Sequence, residues 1–403
     1  MNNDKQKILL LENIHVDAEK YLIDKGFEVE IFPHSLNENE LIEKIKGVSL
    51  IGIRSKTKIT EKVLNHADKL IGIGAFCIGT NQINISACNK KGVAVFNAPY
   101  SNTRSVVELV IGNIISLIRK SFDRSLELHN GKWSKTATGS FEIRGKNLGI
   151  IGYGNIGSQL SVLAESLGMN VYYFDTEDKL PMGNVKNCKT MNELLKISDF
   201  ITIHVDGRES NTNLISEKEF KVMKDGAYFL NLSRGFVVNL DSLAENIRNG
   251  KIAGASVDVY PNEPKSNKEK FNNILQNLPN TILTPHIGGS TEEAQKNIAQ
   301  FVSSKFNDFL TTGSTISSVN FPNLQLPAIQ NAHRFIHLHQ NIPGMLSKLN
   351  QILAENNINI ESQFLKTNKE IGYVIFDIHK DYDKNIIEKI RSISGSISLR
   401  ILS

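Results

Sequence analysis

The chain has 403 residues, 40% hydrophobic and 22% charged, with a formal net charge of +4. That length exceeds one ordinary core and predicts two or three domains. No apolar run approaches the roughly 20 residues that span a bilayer, and the dispersed positive charge lacks the basic stripe of a nucleic-acid binder.

Cys77, Cys88 and Cys188 form no CxxC and have no companion His at ligand spacing, which predicts reduced thiols and no metal centre. The start runs straight into Ile8-Leu9-Leu10-Leu11, a buried strand rather than a signal-peptide core, so a cytoplasmic protein is expected. Apolar strands at Lys7–Leu11, Val48–Ile53, Leu70–Ile73 and Val93–Phe96 alternate with helical stretches, the pattern of a parallel sheet covered on both faces. Asn97-Ala98-Pro99-Tyr100-Ser101-Asn102 breaks that beat, with Asn102 or Thr103 placed to cap a helix running to about Lys120.

A second alternation takes in Leu148–Ile151, Val171–Phe174, Phe200–His204, Tyr228–Asn231, Ala255–Val257 and Thr281–Leu283. It reads as a doubly wound nucleotide-binding domain. A helix from Ser290 to about Leu310 and a Gly/Ser/Asn/Pro-richer linker, Thr311–Gln330, follow. The tail then runs strand, helix, strand, strand, helix, strand, from Arg334–His339 to Ser396–Leu402, which is the ferredoxin-like order.

Gly152-Tyr153-Gly154-Asn155-Ile156-Gly157 follows an apolar strand and opens a helix, the context that a dinucleotide fingerprint requires. Gly152 permits the tight turn, Gly154 the approach of a pyrophosphate, and Gly157 close helix–strand packing, with the helix N-terminus holding the charge. Asp175 ends the next strand, where its carboxylate accepts from ribose hydroxyls and repels a 2′-phosphate, so NAD is expected over NADP. Lys179 is the one nearby cation that tempers this reading.

Arg234, Glu263 and His286 each sit in a loop built to present them: Ser233-Arg234-Gly235, Asp258-Val259-Tyr260-Pro261-Asn262-Glu263-Pro264 and Thr284-Pro285-His286-Ile287-Gly288-Gly289. Together they supply what oxidation of a hydroxyl beside a carboxylate needs. Arg grips the carboxylate, His takes the hydroxyl proton, and Glu keeps His oriented and basic. Asp258 is either a support behind His286 or a partner for the nicotinamide amide. Expected cofactor contacts extend from Gly152, Gly154, Asn155, Ile156, Gly157 and Asp175 to Leu232, Ser233, Arg234, Asp258, His286, Gly288 and Gly289.

With Gly74–Gln82, Phe96–Val106, Ile150–Gln159, Leu283–Ala294 and Val319-Asn320-Phe321-Pro322, nearly the whole chain resembles the D-isomer-specific 2-hydroxyacid dehydrogenases, in the branch carrying a C-terminal ACT domain. The resemblance implies NAD-dependent oxidation of D-3-phosphoglycerate to 3-phosphohydroxypyruvate, the first committed step of L-serine synthesis, by a homo-oligomer, often a tetramer. It implies a split substrate domain (1–101 and 289–330), a nucleotide domain (102–288) and an ACT domain (331–403). It places Arg54, Ser55, Asn102, Lys135 and Arg234 on the substrate, and His339, Asn341 and Asn359 on serine as effector. Asn331-Ala332 stands where that branch often has paired glycines, predicting a stiffer hinge. Rival readings are another 2-hydroxyacid dehydrogenase, a 2-oxoglutarate reductase, or a corepressor-like dinucleotide sensor.

Overall fold

The computed structural model describes residues 6–264, 268–327, 332–379 and 382–402. Contacts divide the chain into two units, Met1–Ser101 with Gln295–Ser403, and Asn102–Ala294. The fold is α/β, two doubly wound parallel sheets with a smaller antiparallel sheet at the C-terminus, as the alternation of elements predicts.

The first unit holds β1 (Lys7–Leu10), β2 (Glu28–Ile31), β3 (Leu50–Ile53), β4 (Gly72–Ala75) and β5 (Ala94–Asn97). They pair in parallel in the order β2-β1-β3-β4-β5. β3 and β4 are buried along their whole length, which is why they read as unbroken apolar runs. β4 begins two residues later than the Leu70 expected from hydrophobicity, and its glycines serve close packing. A Cβ on Gly74 would meet Val302 and Phe306 of the helix Glu292–Thr312 at 2.6 and 2.7 Å. Small residues there let that helix lie directly on the sheet.

The second unit holds β6 (Asn147–Ile151), β7 (Asn170–Phe174), β8 (Lys186–Asn187), β9 (Phe200–Ile203), β10 (Ala227–Asn231), β11 (Ile252–Val257) and β12 (Thr281–Leu283). Their order is β12-β11-β10-β9-β6-β7-β8. The order reverses between β6 and β9, and ligands of such sheets bind outside the strand ends at that point. The long helix Thr103–Arg119 crosses one face, burying Val106, Val107, Val110, Ile114 and Leu117, and its Asn113 amide donates to Ser256 Oγ of β11 at 2.8 Å. Asn102 occupies the N-cap position without a side-chain capping bond.

In the C-terminal part, β13 (His333–Gln340), β14 (Ile360–Thr367), β15 (Ile371–Ile378) and β16 (Ser396–Leu402) form an antiparallel sheet in the order β14-β15-β13-β16. Buried Arg334 pairs through Nε and Nη2 with the two oxygens of Asp377 (2.7 and 2.8 Å) and donates through Nη1 to the Thr312 and Pro327 carbonyls. Tyr373 Oη donates to Gly313, and the Arg400 guanidinium lies 4.3 Å from the Phe309 ring centroid. These ties place the small sheet in the first unit. Of the Asn331-Ala332 pair, Asn331 lies outside the described residues and Ala332 is buried.

Candidate active site

The nucleotide loop follows β6 at the reversal point. Gly152 adopts φ +91°, and a Cβ there would meet the His204 carbonyl oxygen, just past β9, at 2.5 Å. A Cβ on Gly157 would run into the Gly152 carbonyl, so helix Asn155–Ser166 packs against the turn only with glycine present. Gly154 faces open space, since a Cβ there would meet nothing within 4 Å, and the helix it precedes has no side-chain cap. An open glycine before an uncapped helix N-terminus fits a dinucleotide pyrophosphate. Asp175 stands beyond β7, its carboxylate fixed by the Tyr153 N–H (2.7 Å) and the Glu177 N–H (2.9 Å). Lys179 is ion-paired with Glu177 at 2.5 Å. Burial pushes the His204 imidazole down to about 3.

Three loops at the carboxyl ends of β10, β11 and β12 form the second cluster. Glu263 meets His286 Nδ1 at 3.0 and 2.9 Å through its two oxygens, and it also accepts from the Tyr260 N–H at 3.1 Å. The hydrogen bond to Glu263 raises the His286 imidazole above its ordinary value, helped by the charges of Glu263 and Asp258 against desolvation and Arg234. For Glu263, burial pulls upward, yet the bond and charge of His286, the Tyr260 N–H and Arg234 hold the carboxyl below the usual range.

The backbone of His286 lies in the left-handed region at φ +55°, a costly place for a side-chain-bearing residue. Asp258 holds it there. This buried carboxylate accepts from Thr284 Oγ1 (2.6 Å), the Ile287 N–H (2.8 Å) and the Gly288 N–H (2.8 Å), while its carbonyl accepts from the His286 N–H (2.8 Å). Of the two roles left open for Asp258, the support behind His286 is thus visible. Tyr260 Oη adds bonds to the Val257 and Thr284 carbonyls.

Arg234 precedes a glycine that has no room for anything else. A Cβ on Gly235 would collide with the Tyr260 carbonyl group and stand 2.5 Å from Pro261 N, so the Arg234 turn rests on the loop that carries Glu263. Asn231 clamps the turn, donating to the Arg234 carbonyl and accepting from Ser233 N and Oγ. Leu232 and Ser233 are buried beneath it. Gly289 abuts the Asn102 side chain, and a Cβ on Gly288 would stand 3.0 Å from the Asp258 carboxylate.

Residues 111–288 match the family described as D-isomer specific 2-hydroxyacid dehydrogenase, NAD binding domain, and residues 335–397 match an ACT domain of the AHAS small subunit-like type. D-3-phosphoglycerate dehydrogenase of Dictyostelium discoideum is 51% identical over 99% of this chain and 98% of its own. The chain belongs to the D-3-phosphoglycerate dehydrogenase family. The members from Haemophilus influenzae and Escherichia coli K12 are 47% and 45% identical, each over 100% of this chain and 98% of theirs. Among solved structures, D-2-hydroxyisocaproate dehydrogenase aligns with TM-score 0.71 at 28% identity, covering 78% of this chain and 100% of that one. D-lactate dehydrogenase from Aquifex aeolicus, complexed with NAD and lactic acid, aligns with TM-score 0.65 at 26% identity over 75% and 95%. As a D-3-phosphoglycerate dehydrogenase family member, the chain is an oxidoreductase with an NAD-binding domain.

The remaining residues expected from sequence are shared between the two units. Arg54 and Ser55 follow β3 in the first unit. Lys135 is exposed in the second unit, beside a shallow hollow lined by Arg124, Glu127, Leu128, Lys132 and Trp133. Cys77 donates to the Gly79 carbonyl, and burial pushes its thiol up to about 11, so it is a poor nucleophile. His339 is buried near the end of β13, and Asn341, just beyond, donates to the Asn368 carbonyl at 2.7 Å. Asn359 is exposed just before β14. Register separates it from the other two. Ile360 and His333 both pair with Ile378, whereas His339 pairs with Gly372. Within one protomer Asn359 therefore stands about six strand residues, roughly 20 Å, from His339.

Among the described residues no helix is long and apolar enough to cross a membrane. Sequence reasoning missed the Asn231 clamp and the Tyr260 hydroxyl, because each acts on backbone groups that no side-chain motif reveals.

Proposed function

We propose that the chain oxidises D-3-phosphoglycerate to 3-phosphohydroxypyruvate with NAD, the entry step to L-serine, as a cytoplasmic homo-oligomer. The Glu263–His286 hydrogen bond, set beside Arg234 in a domain of this family, is the observation that carries the reading. NAD, when bound, supplies the hydride acceptor. Gly154 and the uncapped helix N-terminus receive its pyrophosphate, and Asp175 its ribose hydroxyls, which excludes a 2′-phosphate by charge. Arg234 holds the substrate carboxylate and polarises the oxygen at the reacting carbon. His286 takes the hydroxyl proton, and Glu263 stabilises the imidazolium that results. Arg54, Ser55 and Lys135 are assigned to the phosphate and Asn102 to the substrate.

L-Serine is the proposed effector at His339, Asn341 and Asn359. Because register keeps Asn359 away from the other two in one protomer, the set closes only if a second copy supplies Asn359. Exposed Phe364 and Leu365 on edge strand β14, with exposed Ile342 after β13, supply an apolar surface in the C-terminal part for such association.

The test follows NADH absorbance with purified protein and 3-phosphohydroxypyruvate, with L-serine added to the same cuvette. Rapid oxidation suppressed by serine is expected. Oxidation indifferent to serine would remove the effector assignment, and faster turnover of 2-oxoglutarate would replace the substrate. No turnover with either keto acid or with glyoxylate would favour the corepressor-like sensor.

A further inference from the structure

The loop after β3 presents Arg54, Ser55 and Lys56, and among the described residues no hydrogen bond or ion pair engages any of their side chains. What holds this loop is a glutamate distant in sequence. Glu12 stands just beyond β1, the strand next to β3, at the carboxyl edge of the sheet. It is only 7% exposed, and one oxygen accepts from the Lys56 N–H at 2.9 Å while the other accepts from the Thr57 N–H at 2.7 Å. Glu12 and Asn13 both take left-handed φ values, +65° and +51°, a strained pair that directs the carboxylate under the loop. From the other side, Gln82 Nε2 donates to the Arg54 carbonyl at 2.6 Å and to the Gly79 carbonyl at 3.3 Å.

Two consecutive backbone N–H groups aimed at one point form an anion-binding concavity. Here the protein fills that concavity with its own buried carboxylate. An external anion at this loop must therefore be met by the Arg54, Ser55 and Lys56 side chains, while Glu12 fixes the backbone from which they project.

We infer that Glu12 is a positioning residue for recognition of the substrate phosphate: it sets the Arg54–Lys56 loop in the conformation that discriminates a phosphorylated from a non-phosphorylated 2-keto acid. This inference rests on the substrate reading above. A carboxylate is required because it is acceptor-only. Glutamine at this site offers one acceptor oxygen and turns an amide N–H toward the second backbone N–H, leaving a buried donor unpaired.

The test compares kcat/KM for 3-phosphohydroxypyruvate and for hydroxypyruvate, its non-phosphorylated counterpart, in the full-length protein and in Glu12→Gln and Glu12→Ala. NADH affinity and melting temperature are recorded alongside. The expected result is a wild-type preference for the phosphorylated keto acid that falls about 10-fold or more in both variants, mainly through KM, with NADH affinity retained. Near-isosteric Glu12→Gln keeps the comparison readable should Glu12→Ala not fold. A lowered melting temperature with an unchanged preference would mean that Glu12 serves the fold alone, and would overturn the inference while leaving the substrate reading intact. A wild-type protein without any preference would overturn both, and the wild-type arm by itself distinguishes the two failures.

Discussion

At the scale of single residues, the Glu263–His286 pair makes a signed pH prediction. His286 must be neutral to accept the hydroxyl proton, so oxidation falls as pH drops through its raised pKa, and reduction falls as pH climbs through the same value. Glu263→Gln removes the hydrogen-bonded charge that chiefly raises it and leaves only the smaller effect of Asp258 against desolvation and Arg234, which lower it. The acid limb of kcat/KM for oxidation should move to lower pH, with kcat down about 10- to 100-fold. An acid limb that stays in place in a pH–rate profile of the variant would uncouple Glu263 from the base. The pair itself was legible in the sequence because prolines on either side of Glu263 and the Thr-Pro-His context announce presented side chains. Its support was not. Asp258 works on backbone N–H groups of Ile287 and Gly288, and Glu12 on those of Lys56 and Thr57, each far away along the chain. Backbone donors carry no residue-type signature.

At the scale of elements, strand spacing revealed both parallel sheets wherever strands are buried on two faces. β2 escaped because it is an edge strand, and its Glu28 and Glu30 interrupt the apolar signal. β8, two exposed residues long, offered no pattern at all. Among the glycines, Gly235 is the most consequential site of close approach. Its Cα rests on the Tyr260–Pro261 peptide, so Gly235→Ala forces apart the loops that carry Arg234 and Glu263. The variant should lose about 2–3 kcal/mol of stability and more than about 10-fold in kcat/KM, read by thermal melting and steady-state kinetics. Wild-type values on both would mean that the two loops move independently.

At the scale of the whole molecule, the chain joins a dehydrogenase of the D-3-phosphoglycerate family to an ACT sheet anchored by Arg334, Tyr373 and Arg400. The tail's element order was readable because each strand is bounded by turn residues. Its membership in the first unit was not, since buried Arg334 and half-buried Arg400, bonded to the backbone carbonyls of Thr312 and Phe309, read from sequence as ordinary surface cations. Everything proposed for the chemistry turns on His286 as the base of an NAD-linked oxidation, and one comparison tests that role most directly. Turnover of 3-phosphohydroxypyruvate is measured for wild type and His286→Ala, with NADH binding followed by fluorescence on the same preparations. NADH should bind both proteins while turnover by the variant drops about 100- to 10,000-fold. Near-normal turnover in a variant that binds NADH would contradict His286 as the base.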